Sequence, residues 1–130
     1  MGSIDVKLVN GNYVCFSHSG TRLTKSEPVS LARELQDRGV GEILITSIDK
    51  DGTMEGYDID LIKKITENVN VPVIASGGAG NYEHMCNAIL DGGASAVAAA
   101  SIFHFTEQTP MEAKTFLQSK GIPVRMTYKD

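Results

Sequence analysis

The sequence predicts an α/β fold built from four strand–helix units, with a β-hairpin set into the first. Three observations carry this expectation. Short apolar runs alternate along the chain with stripes at helical spacing. Strands alternating with helices pack as a parallel sheet with the helices outside it. Four units in 130 residues make either an open sheet or half of a closed barrel, which needs about 250 residues. No low-complexity stretch or Pro/Gly/Ser linker divides the chain, so residues 1–130 read as a single domain.

The elements follow in order. Ser3–Lys7 alternates apolar and polar residues as a first strand, and Tyr13–Ser17 is a second extended piece across Asn10-Gly11-Asn12, a strong hairpin signal. Pro28 suits a first helical turn, and Leu31, Ala32 and Leu35 continue a stripe that ends near Arg38-Gly39. Glu42–Ile48 is nearly continuous in apolar residues, as for a parallel strand covered on both faces. Ile59, Ile62, Ile65 and Val69 are spaced as a helix capped by Asp58. Pro72–Ala75 is the next strand, and Asn81 caps a helix with Met85, Ala88 and Ile89 that closes at Asp91-Gly92-Gly93. Ala96–Ala100 is expected as a small buried strand. Pro110 opens a last helix with Ala113, Phe116 and Leu117, and Val124–Met126 is a further extended piece.

Composition narrows the function. With 42% hydrophobic and 22% charged residues the chain is of ordinary globular type. It has neither a spanning apolar run nor a signal peptide, which points to the cytoplasm and away from membranes. A net charge of −4 without a basic patch argues against nucleic acid. Cys15 and Cys86, the only cysteines, and the scattered His18, His84 and His104 have no metal-ligand spacing. Neither a metal nor another cofactor is indicated.

In parallel α/β folds ligands sit at the carboxyl ends of the strands. There the chain places Asp5, then Asp49-Lys50-Asp51-Gly52-Thr53, then Ser76-Gly77-Gly78-Ala79-Gly80, and finally Ser101 after Ala98-Ala99-Ala100. The last two turns put small residues just before a helix start, where free N–H groups and the helix dipole favour an anion. Barrel phosphate sites lie in the loops after strands seven and eight, which these turns would be in a second half-barrel. Asp5, Asp49 and Asp51 are acid–base candidates, with a turn-capping role equally open for Asp49. Glu42 lies at the opposite strand end and reads as an exposed charge.

These residues carry a resemblance. GEILITSIDKDGTMEGYD (Gly41–Asp58), VPVIASGGAG (Val71–Gly80) and AAASIFH (Ala98–His104) resemble the cyclase subunits of imidazole glycerol phosphate synthase, and SIDVK is similar to their fifth strand. The resemblance covers nearly the whole chain but only the carboxyl-terminal half of that family's barrel. It implies a (β/α)4 half-barrel of a TIM-type (β/α)8 barrel, units five to eight. It also implies an ammonia-dependent lyase and cyclase step of histidine biosynthesis, with ammonia supplied by a glutaminase subunit and a phosphorylated ribonucleotide as substrate.

By that resemblance Asp5 and Asp51 are catalytic, Thr46 and Ser76 line the substrate pocket, and Gly52, Gly77, Gly78 and Ser101 hold a phosphate. Glu42 belongs to the ammonia gate. The matching amino-terminal half-barrel would be a partner, so the isolated half is expected to keep a phosphate half-site, show little activity and form homo-oligomers. Ile4 lies close to the chain start, which implies a short first strand with Asp5 near a frayed end. The segment CFSHSGTRLTKSEP also resembles a cyclase-like branch that amidates surface sugars. A non-catalytic phosphate-binding half-barrel is the remaining alternative.

Overall fold

The computed structural model describes residues 2–16, 27–98 and 110–122. Its elements are β1 (Gly2–Val9), β2 (Asn12–Phe16), α1 (Pro28–Asp37), β3 (Ile43–Ser47), α2 (Ile59–Thr66), β4 (Val73–Ser76), α3 (Tyr82–Leu90), β5 (Ala96–Ala98) and α4 (Pro110–Ser119). The strands form one sheet in the order β2-β1-β3-β4-β5. β1, β3, β4 and β5 run parallel, and β2 returns antiparallel along β1.

The hairpin turns on Asn10 (φ 51) and Gly11 (φ 81), both left-handed, as a two-residue turn between twisted strands requires. β1 is longer than its sequence pattern suggested, and Asp5 lies inside it. Asp5 pairs with Thr46 on one side and with Phe16 on the other. The expected fraying at Asp5 is therefore absent from the structure.

Caps set the helix starts. The Asp58 carboxylate accepts the Leu61 N–H at 3.1 Å, and Asn81 Oδ1 accepts the His84 N–H at 2.8 Å. α1 begins with Pro28 in its first turn, and the Glu27 carboxylate accepts the N–H groups of Val29 and Ser30. α2 stops at Thr66, so Val69 lies beyond the helix and packs half-buried against the core instead.

All the described helices cover one face of the sheet. Ile4, Val6, Ile43, Ile45 and Val73 share a cluster with Ala32 of α1 and with Leu61 and Ile65 of α2. Ala75 packs with Met85, Ala88, Ala113 and Leu117 of α3 and α4. Val73 and Ala75 are two residues apart on one strand and so point to the same side. Both clusters consequently lie on that side.

Among the described residues no element covers the other face, which corrects two expectations. In β3, Ile43, Ile45 and Ser47 are buried but Leu44 and Thr46 only half-buried, so the strand is not covered on both faces. Ala96 and Ala98 of β5 are exposed rather than buried, because β5 is an edge strand whose second face meets nothing among the described residues. Ala99, Ala100 and the piece Val124–Met126 lie outside the described residues. A barrel strand carries apolar residues on both faces because its inner side packs across the barrel interior. Among the described residues, no helix is long and apolar enough to cross a membrane.

Candidate functional site

One register row crosses the whole sheet: Phe16, Asp5, Thr46, Ser76 and Ala98 are successive partners on β2, β1, β3, β4 and β5. Asp5, Thr46 and Ser76 are half-buried and alternate with core residues, so they stand on the face away from the helices. Adjacent strands lie about 4.8 Å apart, which puts Asp5 and Ser76 roughly 10 Å from each other across Thr46. The row beneath, Ser3, Leu44, Ile74 and Ala96, is largely apolar. A carboxylate and two hydroxyls thus form a polar band near the carboxyl ends of the strands.

The loop after β3 is tied to strands on both sides of that band, to Leu8 of β1 and to Ala98 of β5. Ser47 is buried, its Oγ accepts the Lys50 N–H at 3.3 Å, and its carbonyl accepts the Asp51 N–H at 3.0 Å. The Thr53 N–H and hydroxyl both donate to the Lys50 carbonyl. Asp49 has a structural partner, since its carboxylate accepts the Leu8 N–H at 2.8 Å and ties the loop to β1. Asp51 is exposed, with its Cα 3.5 Å from where a Cβ on Gly77 would lie. The two parts of the sequence singled out for chemistry therefore meet there.

The small residues after β4 answer first to this neighbouring loop. Gly77 (φ 91) and Gly78 (φ 123) are buried and left-handed. A Cβ on Gly77 would come within 2.7 Å of the Ser47 carbonyl oxygen. One on Gly78 would overlap the Gly56 carbonyl oxygen, and one on Gly80 the Met54 carbonyl oxygen. The Gly56 N–H donates to the Gly78 carbonyl at 2.7 Å. Close backbone approach, the property that glycine permits, is used here between two loops of the protein itself.

Three contacts at this mouth went unread in the sequence. His84 Nδ1 accepts the Gly80 N–H at 2.9 Å, and its ring lies 3.6 Å from the Cβ position of Gly56. The Tyr57 hydroxyl donates to the Ala98 carbonyl at 2.9 Å, and burial pushes its pKa well up. The Tyr13 hydroxyl donates to Asp58 Oδ1 at 3.0 Å; burial, then the Asp58 charge and this bond, raise its pKa to about 12. Only His84 had a readable signal, its position three residues after the cap Asn81. The tyrosine contacts join residues more than 40 positions apart.

The remaining candidates lie apart from this cluster. Gly52 (φ 80) is exposed, with nothing within 4 Å of its Cβ position. Glu42 is exposed at the opposite end of the sheet, where its carbonyl accepts the Gly2 N–H at 3.0 Å. Ser101 lies outside the described residues. Burial raises the Cys15 thiol to about 11, which keeps it protonated and unreactive. No group of three or more His, Cys, Asp or Glu residues is disposed to hold a metal among the described residues.

Comparison with known proteins places the chain in a family. Residues 1–109 match the family described as histidine biosynthesis protein. The chain is 52% identical over 124 residues to the imidazole glycerol phosphate synthase subunit HisF of Chlorobaculum parvum. It is 51% identical over 124 residues to that of Chlorobaculum tepidum and 51% over 123 to that of Hyphomonas neptunium. Each alignment covers 95% of this chain and 49% of the relative. The chain spans about half the length of the curated relatives it matches.

Proposed function

The chain belongs to the histidine biosynthesis protein family, and from that premise we propose that it is the carboxyl-terminal half of an imidazole glycerol phosphate synthase cyclase barrel. Its fold is half of a TIM-type (β/α)8 barrel. Residues 1–130 make one half-barrel domain and work in the cytoplasm. The observation that carries the reading is the row Asp5–Thr46–Ser76 on the open sheet face, with Asp51 beside Gly77 above it.

In this reading Asp5 is an acid–base group facing a second carboxylate on the matching amino-terminal half-barrel. Asp51 borders the reacting part of a phosphorylated ribonucleotide, whose body lies along Thr46 and Ser76. Gly52, Gly77, Gly78 and Ser101 hold one of the substrate's phosphates through backbone and hydroxyl donors. Ammonia from a glutaminase subunit enters at the opposite end of the sheet, past Glu42. Neutral ammonia adds to the ribonucleotide, and the acid–base pair moves protons as the imidazole ring closes, the ketone oxygen leaves as water and the aminoimidazole carboxamide ribotide departs. Only half of the substrate's contacts lie in this chain, so it binds phosphate alone and turns over only when completed.

Ammonia-dependent conversion of the formimino ribonucleotide, by the chain alone and mixed with an amino-terminal half-barrel of a relative, tests the proposal. Turnover in the mixture that is lost with Asp5→Asn is the expected result. An assembled mixture without turnover would refute the cyclase reading.

A further inference from the structure

We infer that His84 is a positioning residue for the two loops at the strand mouths, and that it fixes the backbone of Gly77–Gly80 and Met54–Gly56 in a single arrangement. The inference rests on the reading of these loops as the phosphate site.

His84 occupies the third position of α3, after the cap Asn81. In a capping box the side chain at this position turns back to the N–H of the cap residue itself. His84 reaches one residue further, to the Gly80 N–H at 2.9 Å, and so grips the loop rather than the helix end. The helix is already capped by Asn81, whose Oδ1 takes the His84 N–H at 2.8 Å. Accepting at Nδ1 leaves the proton of the neutral ring on Nε2.

The ring also serves the second loop. Its Cδ2 and Nε2 lie 3.6 Å from the Cβ position of Gly56, a residue at φ 120 that no larger side chain adopts comfortably. Gly56 in turn donates to the Gly78 carbonyl at 2.7 Å. The Gly80–His84 bond and the Gly56–Gly78 bond therefore hold the same loop at two points, with the ring facing the side of Gly56 that carries no side chain. Backbone N–H donors hold an anion only while their peptide planes are aimed at it, so the aim of this loop depends on an imidazole that need not touch the ligand.

The test uses the full chain with His84→Leu, which keeps bulk and removes the acceptor, and His84→Asn, whose Oδ1 replaces Nδ1. Amide hydrogen exchange at Gly56 and Gly80 and the Kd for inorganic phosphate are measured in variants whose circular dichroism matches the parent. We expect exchange about tenfold faster and phosphate about fivefold weaker in His84→Leu, the loss of roughly one hydrogen bond, with both recovered in His84→Asn. In the unsubstituted chain a 15N–15N coupling across the hydrogen bond should join Gly80 to His84 Nδ1. Absence of that coupling overturns the inference, as do unchanged exchange in His84→Leu or an Asn variant that behaves like the Leu variant. If the coupling and the exchange response appear but the parent binds no phosphate, the positioning role stands and the phosphate reading falls.

Discussion

The Tyr57 hydroxyl donates to the Ala98 carbonyl at 2.9 Å, so the loop after β3 reaches across β4 and grips the edge strand β5. Together with the Asp49–Leu8 bond at 2.8 Å, this makes one loop the link between β1 and β5. The loop that carries Asp51 is therefore held on both sides of the polar band.

Replacing Tyr57 by Phe keeps the buried ring and removes this link. A net hydrogen bond is worth about 1 kcal/mol, with a further penalty where the abandoned carbonyl stays dry. Urea unfolding should show a loss of about 1–2 kcal/mol with an unchanged m-value. A loss below experimental error would mean that water replaces the phenol without cost.

Glycine substitutions should divide by position. Gly78→Ala and Gly80→Ala drive a Cβ into the carbonyls of Gly56 and Met54, and each should cost more than about 2 kcal/mol as the two loops separate. Gly52→Ala meets open space and should cost only about 1 kcal/mol, for its left-handed φ of 80. Denaturation midpoints compare all three. A change at Gly78 thus reports loop packing whether or not an anion binds there.

The hairpin contact predicts an alkaline limb. Tyr13 titrates near 12 in the folded chain against an ordinary 10, so the folded state holds its proton over a range where the unfolded state has released it. The contribution is complete below pH 10 and declines as pH rises from 10 towards 12. Stability measured across that window should fall less steeply in Tyr13→Phe. Equal slopes would remove the assignment.

Glu27 gives the opposite sign. Burial raises its pKa, but the Val29 and Ser30 N–H groups and the Ser30 hydroxyl outweigh that and hold it below its ordinary 4.5. Its contribution is therefore present above pH 4.5 and lost as pH falls through the lowered folded value. Glu27→Ala should cost about 0.5 kcal/mol at pH 7, at the low end for a cap because the site is exposed. The cost should vanish in acid, and thermal melts at pH 7 and pH 3 provide the comparison.

An open sheet face with an exposed edge strand should drive association. Sedimentation across a concentration series should show oligomers that dissociate on dilution and yield to an added amino-terminal half-barrel. A monomer at every concentration would contradict this.

The sequence was most readable where a single element decides the outcome. Asn10-Gly11 dictated its turn, Asp58 and Asn81 their caps, and the stripes of α2 and α3 their buried sides. Burial on the second sheet face was misread at Leu44, Thr46, Ala96 and Ala98, because a strand's own residues do not say whether anything lies opposite. Asp5, Thr46 and Ser76 were singled out separately as candidates, and their common row depends on pairing between strands, a property of register rather than composition. Tyr57 escaped because its partner is a backbone atom, which leaves no residue type to recognise, and His84 offered only its place after the Asn81 cap.

The reach of the hairpin has a consequence for how such a sheet is joined to anything else. β2 ends opposite Asp5, so among the described residues no strand lies along the outer rim of β1 from Gly2 to Ile4. At the far rim β5 offers Ala96–Ala98. Counted on the described residues, each seam is three residues long, enough for only a few backbone bonds. A joint of that kind fastens like a clasp and not like a weld: it opens without disturbing either side, and the rims hold any partner with equal indifference. Choice of partner then falls to the side chains that meet across the interior, and among these Asp5 stands at the rim of one seam.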